Sequence, residues 1–302
     1  MYSYQLFGFC IGSDVRLPGL HPHSGPHSGS GPHSGAPDIE IHEVTEAEWN
    51  AKHSEVAPDL GGPVVAAHFY NSLFYLAERG ERVTFYRKAE MPADLVEQCL
   101  IGQPLAVCLR QRGHLVLHGC SVSVRGDAVG FVGAGGSGKS TLAEAYRQRG
   151  HPVLGDDVMA IRFDPGGPVA LPAAPFIRIR EETGRAMVSE YDALLPTWSA
   201  SDQKMRTLDH ERHEAPVKRL YLIDDVDHPT TDVLPVAGQD ALLSLFRQTW
   251  AFNAFTDPAY ASAHLDQLAE IVRAGIVRRF ARRRGFDLIG RHLDAVDEDL
   301  AG

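Results

Sequence analysis

The sequence predicts an α/β protein in which a P-loop core follows a small, β-rich N-terminal module. Three observations predict this arrangement. A glycine-rich run lies at residues 133–141, between an apolar run typical of a buried strand and a segment rich in helix formers. Several short alternating runs occupy the first 88 residues. A length of 302 residues is typical of one large domain or about two smaller ones.

The glycine-rich run fits the pattern G-x-x-x-x-G-K-[ST] of a phosphate-binding loop. Its glycines let the backbone fold tightly, so that several N–H groups converge on one anion. The lysine adds a cation for the β- and γ-phosphates, and the serine offers a hydroxyl to Mg²⁺. The sequence therefore predicts a site for ATP as phosphate donor, with Mg²⁺, built from Gly133, Ala134, Gly135, Gly136, Ser137, Gly138, Lys139, Ser140 and Thr141.

Composition and charge exclude several classes of protein. Hydrophobic residues make up 44% and charged residues 23%, as in ordinary globular chains. The formal net charge of −10 argues against a general nucleic-acid binder, and no apolar stretch reaches the length of a membrane span. The N-terminus has no secretory signal pattern, so we expect a cytoplasmic protein. Free thiols are expected for the cysteines, which show no metal-ligand spacing: Cys10, Cys99, Cys108 and Cys120.

The N-terminal module, residues 1–88, is predicted to be mostly antiparallel. Its strand-like runs lie at residues 2–15, 38–44, 64–70, 72–77 and 82–87. The tetrapeptide PHSG occurs three times, and this density of Pro, Gly and Ser predicts a disordered loop over residues 21–36. Histidines in that loop could bind a metal loosely, although a solvated linker is the simpler interpretation. The module has no catalytic cluster, but an open sheet edge could dock an extended peptide.

The P-loop domain, residues 89–302, is predicted to alternate helices and strands. A helical run over residues 93–111 should kink or break at Gly102 and Pro104. Strands are predicted at residues 115–119, 121–125, 127–132, 158–163, 176–180 and 219–225, and helices at residues 140–150, 241–255 and 259–272. An arginine-rich run at residues 278–284 is interpreted as a solvated face, and residues 294–302 as an acidic tail.

Two adjacent carboxylates, Asp156 and Asp157, follow a short apolar run. A strand beside the P-loop strand would bring them to the rim where phosphates bind. A simple turn after a strand is the alternative, because Asp is common in turns. Arg178, Lys204 and Arg206 are candidates for contacts with phosphate or a peptide carboxylate, because such cations fit both groups. Ordinary surface charge is the simpler interpretation of each.

The order of motifs in residues 114–163 resembles the signature of the HPr kinase/phosphorylase family. A histidine-glycine pair precedes the P-loop strand, and R-G-H and D-D follow the P-loop helix; here these are His118-Gly119, Arg149-Gly150-His151 and Asp156-Asp157. The chain departs from the family where Thr141 follows Ser140 in place of an acidic residue, and it lacks the E-I-R-G-x-G stretch. The resemblance implies an HPr kinase C-terminal/PEP carboxykinase-like core.

The layout of the whole chain is closer to the HPr-kinase-related proteins associated with lasso-peptide biosynthesis. They are similar in length, have a β-rich N-terminal part, and share the runs HGCSV, PFIRI and PVKRLYLI at residues 118–122, 175–179 and 216–223. This resemblance implies an ATP-dependent kinase that phosphorylates a peptide serine, specifically the C-terminal serine of a lasso precursor. An HPr-type protein serine kinase/phosphorylase is the alternative within the same family.

The resemblance also implies roles for individual residues. Asp156 matches the catalytic aspartate that accepts the proton of the acceptor hydroxyl, with Lys139 as the catalytic cation. His118 matches a histidine near the nucleophile or the γ-phosphate, although a packed core histidine is the alternative. Asp157 is the better candidate to join Ser140 on the metal side. The residues themselves leave open which aspartate has which role.

Two functions of other classes also fit the sequence. Residues 220–225, LYLIDD, end in acids as a Walker B element does, so a P-loop ATPase or nucleotide-gated regulator could use Asp224 as its metal-binding acid. A degenerate module that only docks a peptide is disfavoured by the intact Lys139, Ser140 and Asp156. Which aspartate lies within reach of Ser140 distinguishes the kinase from the ATPase. The expected partner is a serine-bearing peptide or small protein, with no nucleic acid and no membrane, and a homo-oligomer is compatible with the sequence.

Overall fold

The computed structural model describes residues 1–20, 22, 36–53, 62–208, 213–228, 230–250 and 257–302. Over these residues the chain is a mixed α/β protein with three β-sheets. The predicted PHSG loop and its histidines fall outside the described residues, except for its edges at Pro22 and Ala36. Among the described helices, none is both long enough and apolar enough to span a membrane.

The N-terminal sheet has six strands in the order β1-β2-β3-β6-β5-β4. Their bounds are β1 Tyr2–Leu6, β2 Phe9–Ser13, β3 Ile39–Glu43, β4 Val64–Phe69, β5 Leu73–Glu78 and β6 Arg82–Arg87. The pairs β2–β3 and β3–β6 are parallel, and the other three are antiparallel. Helix α1, Glu46–His53, was not predicted. It begins at a capping box in which Thr45 and Glu48 bind each other's backbone N–H groups.

Two helices occupy the segment that was predicted as one helical run, and the break between them confirms the predicted one. They are α2, Ala93–Leu100, and α3, Gln103–Gln111. Pro104 lies in the first turn of α3, where its missing N–H leaves no hydrogen bond unmade. Both helices bury apolar side chains in one cluster with the N-terminal sheet and with Val116 and Ala160 of the central sheet. This shared hydrophobic core fixes the N-terminal module against the sheet that carries the glycine loop.

The central sheet has eight strands: β7 Leu115–Val124, β8 Asp127–Val132, β9 Val153–Gly155, β10 Val158–Asp164, β11 Gly167–Ala170, β15 Ala215–Asp225, β16 Thr231–Pro235 and β17 Val277–Arg282. Strands β8, β15 and β17 are parallel neighbours, so their carboxyl ends share one edge. The two strands predicted within residues 115–125 are one continuous strand. At Gly119 within this strand, a Cβ would lie 2.8 Å from a Val132 methyl, so the absence of a side chain there allows the close pairing with β8.

A three-stranded sheet in the order β12-β14-β13 lies beside the glycine loop. Its strands are β12 Phe176–Arg180, β13 Leu195–Pro196 and β14 Gln203–Thr207. The remaining helices are α4 Lys139–Gln148, α5 Glu181–Met187, α6 Gly238–Phe246, α7 Pro258–Arg273 and α8 Ile289–Ala301. The second half of the predicted helix over residues 241–255 falls partly outside the described residues.

The arginine-rich run is a solvated face only in part, because Arg279, Arg283 and Arg284 are exposed but Arg282 is buried, and the acidic tail is helical. Residues 277–282 form a strand of the central sheet, and residues 289–301 form a helix with Leu293 and Val296 buried. Asp299 binds Arg278 at 3.0 Å, and Asp297 binds Arg149 at 2.9 Å. Opposite charges from distant parts of the chain therefore neutralise each other, which composition alone does not show.

Glu97 makes the stability of the fold depend on pH. Its side chain is only 6% exposed and accepts a hydrogen bond from the Gly19 N–H, and burial raises its pKa to about 7. Because folding raises the pKa of Glu97, the stability that this residue contributes is complete below pH 4.5 and is lost as pH rises through 7. A shift of this size corresponds to about 3 kcal/mol.

We expect Glu97→Gln to remove this dependence, because glutamine keeps the acceptor oxygen and never ionises. Thermal unfolding between pH 4.5 and 8 should show wild type losing stability relative to the variant as pH rises. The exposed Glu90→Gln serves as a control that should follow wild type. Parallel curves for wild type and Glu97→Gln would contradict the prediction.

Candidate active site

The glycine loop joins β8 to α4 and points the N-terminus of that helix into a cleft. Gly136 and Gly138 have φ of 76° and 87°, which side chains rarely tolerate, so glycine is required at both positions. Lys139 is 6% exposed and donates to the carbonyls of Gly133 at 2.8 Å and Ala134 at 3.0 Å. Burial lowers the pKa of its ammonium. The loop thus presents helix N–H groups and a buried cation, which together favour an anion.

Asp156 and Asp157 lie between two strands that both pair with β7. Residue pairs Gly155–Ser121 and Val158–His118 show that β9 and β10 follow the same edge of β7. The doublet interrupts this edge, and Asp157 has φ of 72°, an unusual value for a residue with a side chain. On the other edge of β7 lies β8, whose last residue precedes the glycine loop. This geometry brings the doublet to the loop.

Asp156 contacts the glycine loop directly. One carboxylate oxygen accepts a hydrogen bond from the Ser140 Oγ at 2.8 Å, and the other accepts from the backbone N–H of Arg178 at 2.9 Å. The residue is 7% exposed, and burial raises the pKa of its carboxyl. No side-chain cation among the described residues hydrogen-bonds to it. A cation entering beside Ser140 would therefore stabilise its ionised form.

Asp157 is held on both sides by groups that carry or can carry positive charge. Its carboxylate lies 3.1 Å from the His118 Nε2 and accepts a hydrogen bond from the Arg178 Nη1 at 2.9 Å. Burial opposes ionisation, but the hydrogen bond of His118 and the charge of Arg178 outweigh it and lower the pKa. The carboxylate is therefore ionised and fixed in orientation.

The cleft around these groups has a volume of about 850 Å³ and is lined by two chemically different sets of residues. One set is the glycine loop with the aspartates. The other comes from the N-terminal sheet, α2 and two loops, and it includes Phe69, Tyr70, Leu95, Trp198 and Trp250. Such a combination of convergent polar groups and apolar surface is typical of a ligand site.

The sequence did not predict Trp250 and Gln98 as site residues. The Trp250 Nε1 donates to the carbonyl of Asp157 at 3.0 Å, and its ring lies 5.4 Å from the His118 ring. Gln98 accepts a hydrogen bond from the Arg178 Nε at 3.2 Å. Both residues are distant in sequence from the residues they support, so no local motif identifies them.

The structure does not bring Lys204 and Arg206 into the cleft. The Lys204 ammonium donates to the carbonyls of Tyr191 at 3.0 Å and Asp192 at 3.1 Å. Arg206 lies 3.6 Å from the fully buried carboxylate of Glu144. Pairing of β14 with β12 points both cations toward structural partners, whereas Arg178 on β12 lines the cleft.

The second acidic pair, at the end of β15, has other partners than Ser140. The Asp224 side chain is 43% exposed and forms an ion pair with Arg279, and Asp225 accepts a hydrogen bond from the Arg284 Nε at 2.8 Å. Neither carboxylate lines the cleft. Among the described residues, the aspartate that hydrogen-bonds to Ser140 is Asp156 and not Asp224.

The donor set fits Mg²⁺ held partly by phosphates. Ser140 and Asp156 offer a hydroxyl and a carboxylate oxygen 2.8 Å apart, both hard donors that Mg²⁺ prefers. Among the described residues, no group of three or more His, Cys, Asp or Glu side chains could hold a metal ion on its own. Mg²⁺ usually binds one or two protein carboxylates together with substrate phosphates and water, so two protein donors suffice.

Comparisons with known proteins leave the family open. No family model matches the chain, and no curated protein matches it. Among solved structures, the Hpr(Ser) kinase/phosphatase from Coxiella burnetii superposes with a TM-score of 0.32 at 14% sequence identity, over 62% of this chain and 99% of that one. A superposition this loose does not establish a shared activity, so the function rests on the geometry of the site.

Proposed function

We propose that this chain is an ATP-dependent serine kinase of the HPr-kinase-like type, with a peptide as acceptor. The observation that carries the proposal is the 2.8 Å contact between Ser140 of the glycine loop and Asp156, with a second fixed carboxylate beside it. Phosphoryl transfer needs bound phosphates and a placed hydroxyl more than it needs covalent catalysis. This cleft offers N–H groups and an ammonium to the phosphates, and a fixed carboxylate to the hydroxyl.

The glycine loop and Lys139 are proposed to bind the phosphate chain of ATP. The loop N–H groups take phosphate oxygens, and the ammonium exchanges the carbonyls of Gly133 and Ala134 for the β- and γ-phosphates. When bound between Ser140 and Asp156, Mg²⁺ would neutralise charge on those phosphates. The burial of Lys139 strengthens its attraction to phosphate, because little water screens it.

Asp157 is proposed to orient the acceptor serine and take its proton. The serine oxygen forms a bond to the γ-phosphorus as the bond to the β–γ bridging oxygen breaks, giving ADP and phosphoserine. The proton passes to the Asp157 carboxylate, which His118 and Arg178 hold in place. This exchanges the roles that the family resemblance implies for the two aspartates. The support is that Asp156, rather than Asp157, contacts Ser140.

The apolar residues of the cleft support a peptide as acceptor. Phe69, Tyr70 and Trp198 offer aromatic surface in the same cleft as the aspartates, which suits amino-acid side chains near the phosphorylated serine. The lasso-precursor resemblance narrows the acceptor further, to a serine at the C-terminus of a peptide. Exposed cations in the cleft, such as Arg180, are suitable partners for its terminal carboxylate.

The test is to incubate the protein with ATP, Mg²⁺ and synthetic peptides, and to locate added phosphate by mass spectrometry. The peptides end in serine, carry the same serine internally, or end in alanine. We expect phosphate on the C-terminal serine, and loss of transfer by on the order of 10³-fold in Lys139→Met. HPr added in place of the peptide tests the alternative acceptor.

Release of inorganic phosphate without a phosphorylated acceptor would instead support an ATPase. In that case Asp224→Asn should lower the rate, whereas a kinase that uses Asp156 should tolerate this exposed substitution. Failure of the wild-type protein to bind ATP would contradict the proposal as a whole.

A further inference from the structure

Arg282 reaches the glycine loop from a distant part of the chain. It is the last residue of β17 and pairs in register with Asp225 at the end of β15. Because β17, β15 and β8 are parallel, these two residues lie at the sheet edge from which the glycine loop begins. Ligands of α/β sheets bind outside this edge, and Arg282 lines the cleft.

The Arg282 guanidinium is built into the loop. Arg282 is 5% exposed, and its Nη2 donates to the carbonyl of Ser137 at 2.5 Å. A Cβ on Gly138 would lie 2.6 Å from the same nitrogen, so the guanidinium occupies the space that the missing side chain of residue 138 leaves. Within the described part of the chain, the Nε is buried with no hydrogen-bond acceptor.

The charges around Arg282 do not cancel. Its Nη1 lies 3.5 Å from one oxygen of Asp225, whose other oxygen binds Arg284. One carboxylate is thus shared by two guanidinium groups, and the buried ammonium of Lys139 lies on the same loop. Burial lowers the pKa of Arg282, which reflects the cost of enclosing this charge. Arg282 and Lys139 thus place two buried cations at the glycine loop, which favours a multiply charged anion there.

We propose that Arg282 is a positioning residue of the phosphate site, and that Asp225 orients it. The hydrogen bond to Ser137 fixes the direction of that carbonyl. Since the peptide unit is planar and trans, the N–H of Gly138 then points the opposite way, as an anion-binding loop requires. The acidic end of β15 therefore acts through an arginine on the loop instead of holding the metal. This role rests on the proposed nucleotide site and adds a second buried cation to it.

The test compares Arg282→Gln, Arg282→Lys and the control Arg279→Gln, in which the substituted arginine is exposed and pairs with Asp224. Titration calorimetry measures the affinity for ATP, ADP, AMP and inorganic triphosphate without any acceptor. We expect Arg282→Gln to weaken binding of ATP and triphosphate on the order of tenfold to a hundredfold, with a smaller loss for AMP. Arg282→Lys should restore part of the loss, and Arg279→Gln should bind like wild type.

Steady-state kinetics and thermal unfolding separate positioning from a general structural role. We expect the KM for ATP to rise in Arg282→Gln while the KM for the peptide is unchanged, and Asp225→Asn to give a smaller change of the same kind. Equal affinities of wild type and a folded Arg282→Gln would overturn the inference while leaving the kinase proposal intact. An equal loss for every phosphate ligand and for the peptide would also overturn it, because that pattern indicates a misfolded site.

Discussion

Asp156→Asn is expected to lower phosphoryl transfer by on the order of 10³-fold and to raise the Mg²⁺ concentration needed for half-maximal rate by about tenfold or more. The amide keeps the shape of the side chain, and its oxygen can accept from the Arg178 N–H while its nitrogen donates to the Ser140 hydroxyl, so the fold should persist. The substitution removes the negative charge that Mg²⁺ bound beside Ser140 would contact. Transfer rates are measured over a range of Mg²⁺ concentrations, and ATP binding is measured separately without metal, where we expect little change.

Asp157→Asn is the matched variant, because it makes the same substitution at the neighbouring aspartate. It should lose transfer with an unchanged Mg²⁺ requirement, because its carboxylate contacts His118 and Arg178 and not Ser140. The opposite pattern, with a metal defect in Asp157→Asn alone, would restore the roles implied by the family resemblance. Full activity of both variants would remove the doublet from the mechanism.

Local spacing made part of the site predictable. The glycine loop is a contiguous motif, and the strand before it and the helix after it follow from apolar runs of standard length. Asp156 and Asp157 also lie close to the loop in sequence, so only one helix and one strand needed to be placed. What the pattern did not show is that the doublet interrupts a strand pairing along β7, which sets the direction of each carboxylate.

The remaining features depend on contacts between distant residues. Arg282 and Trp250 reach the site through the order of strands in the sheet and the loop after α6, and no periodicity in the sequence encodes either. The arginines of β17 and the acids of α8 were interpreted separately as solvent-exposed groups, because each is highly charged. Only their pairing, as in Arg278 with Asp299, explains why both are ordered parts of the fold.

Arg178 holds both aspartates, one through its backbone and the other through its side chain. Its backbone N–H binds Asp156, and its guanidinium binds Asp157 and Gln98. Substitution removes only the second set of contacts. The side chain therefore offers a way to alter the charge at Asp157 while leaving the contact with Asp156 in place.

Arg178→Met is expected to lower transfer about 100-fold and to move the acid limb of the pH–rate profile to higher pH. Loss of the guanidinium raises the pKa of Asp157, since the carboxylate keeps His118 and the charge of Lys139 but loses the guanidinium that contacts it. Activity that requires the ionised form then disappears at a higher pH than in wild type. Arg178→Lys, which keeps the charge but not the fork, should recover most of the pH shift and only part of the rate. Arg185→Met, an exposed arginine outside the cleft, controls for loss of positive charge. An acid limb unmoved in a folded Arg178→Met would show that Asp157 is not the group whose ionisation transfer requires.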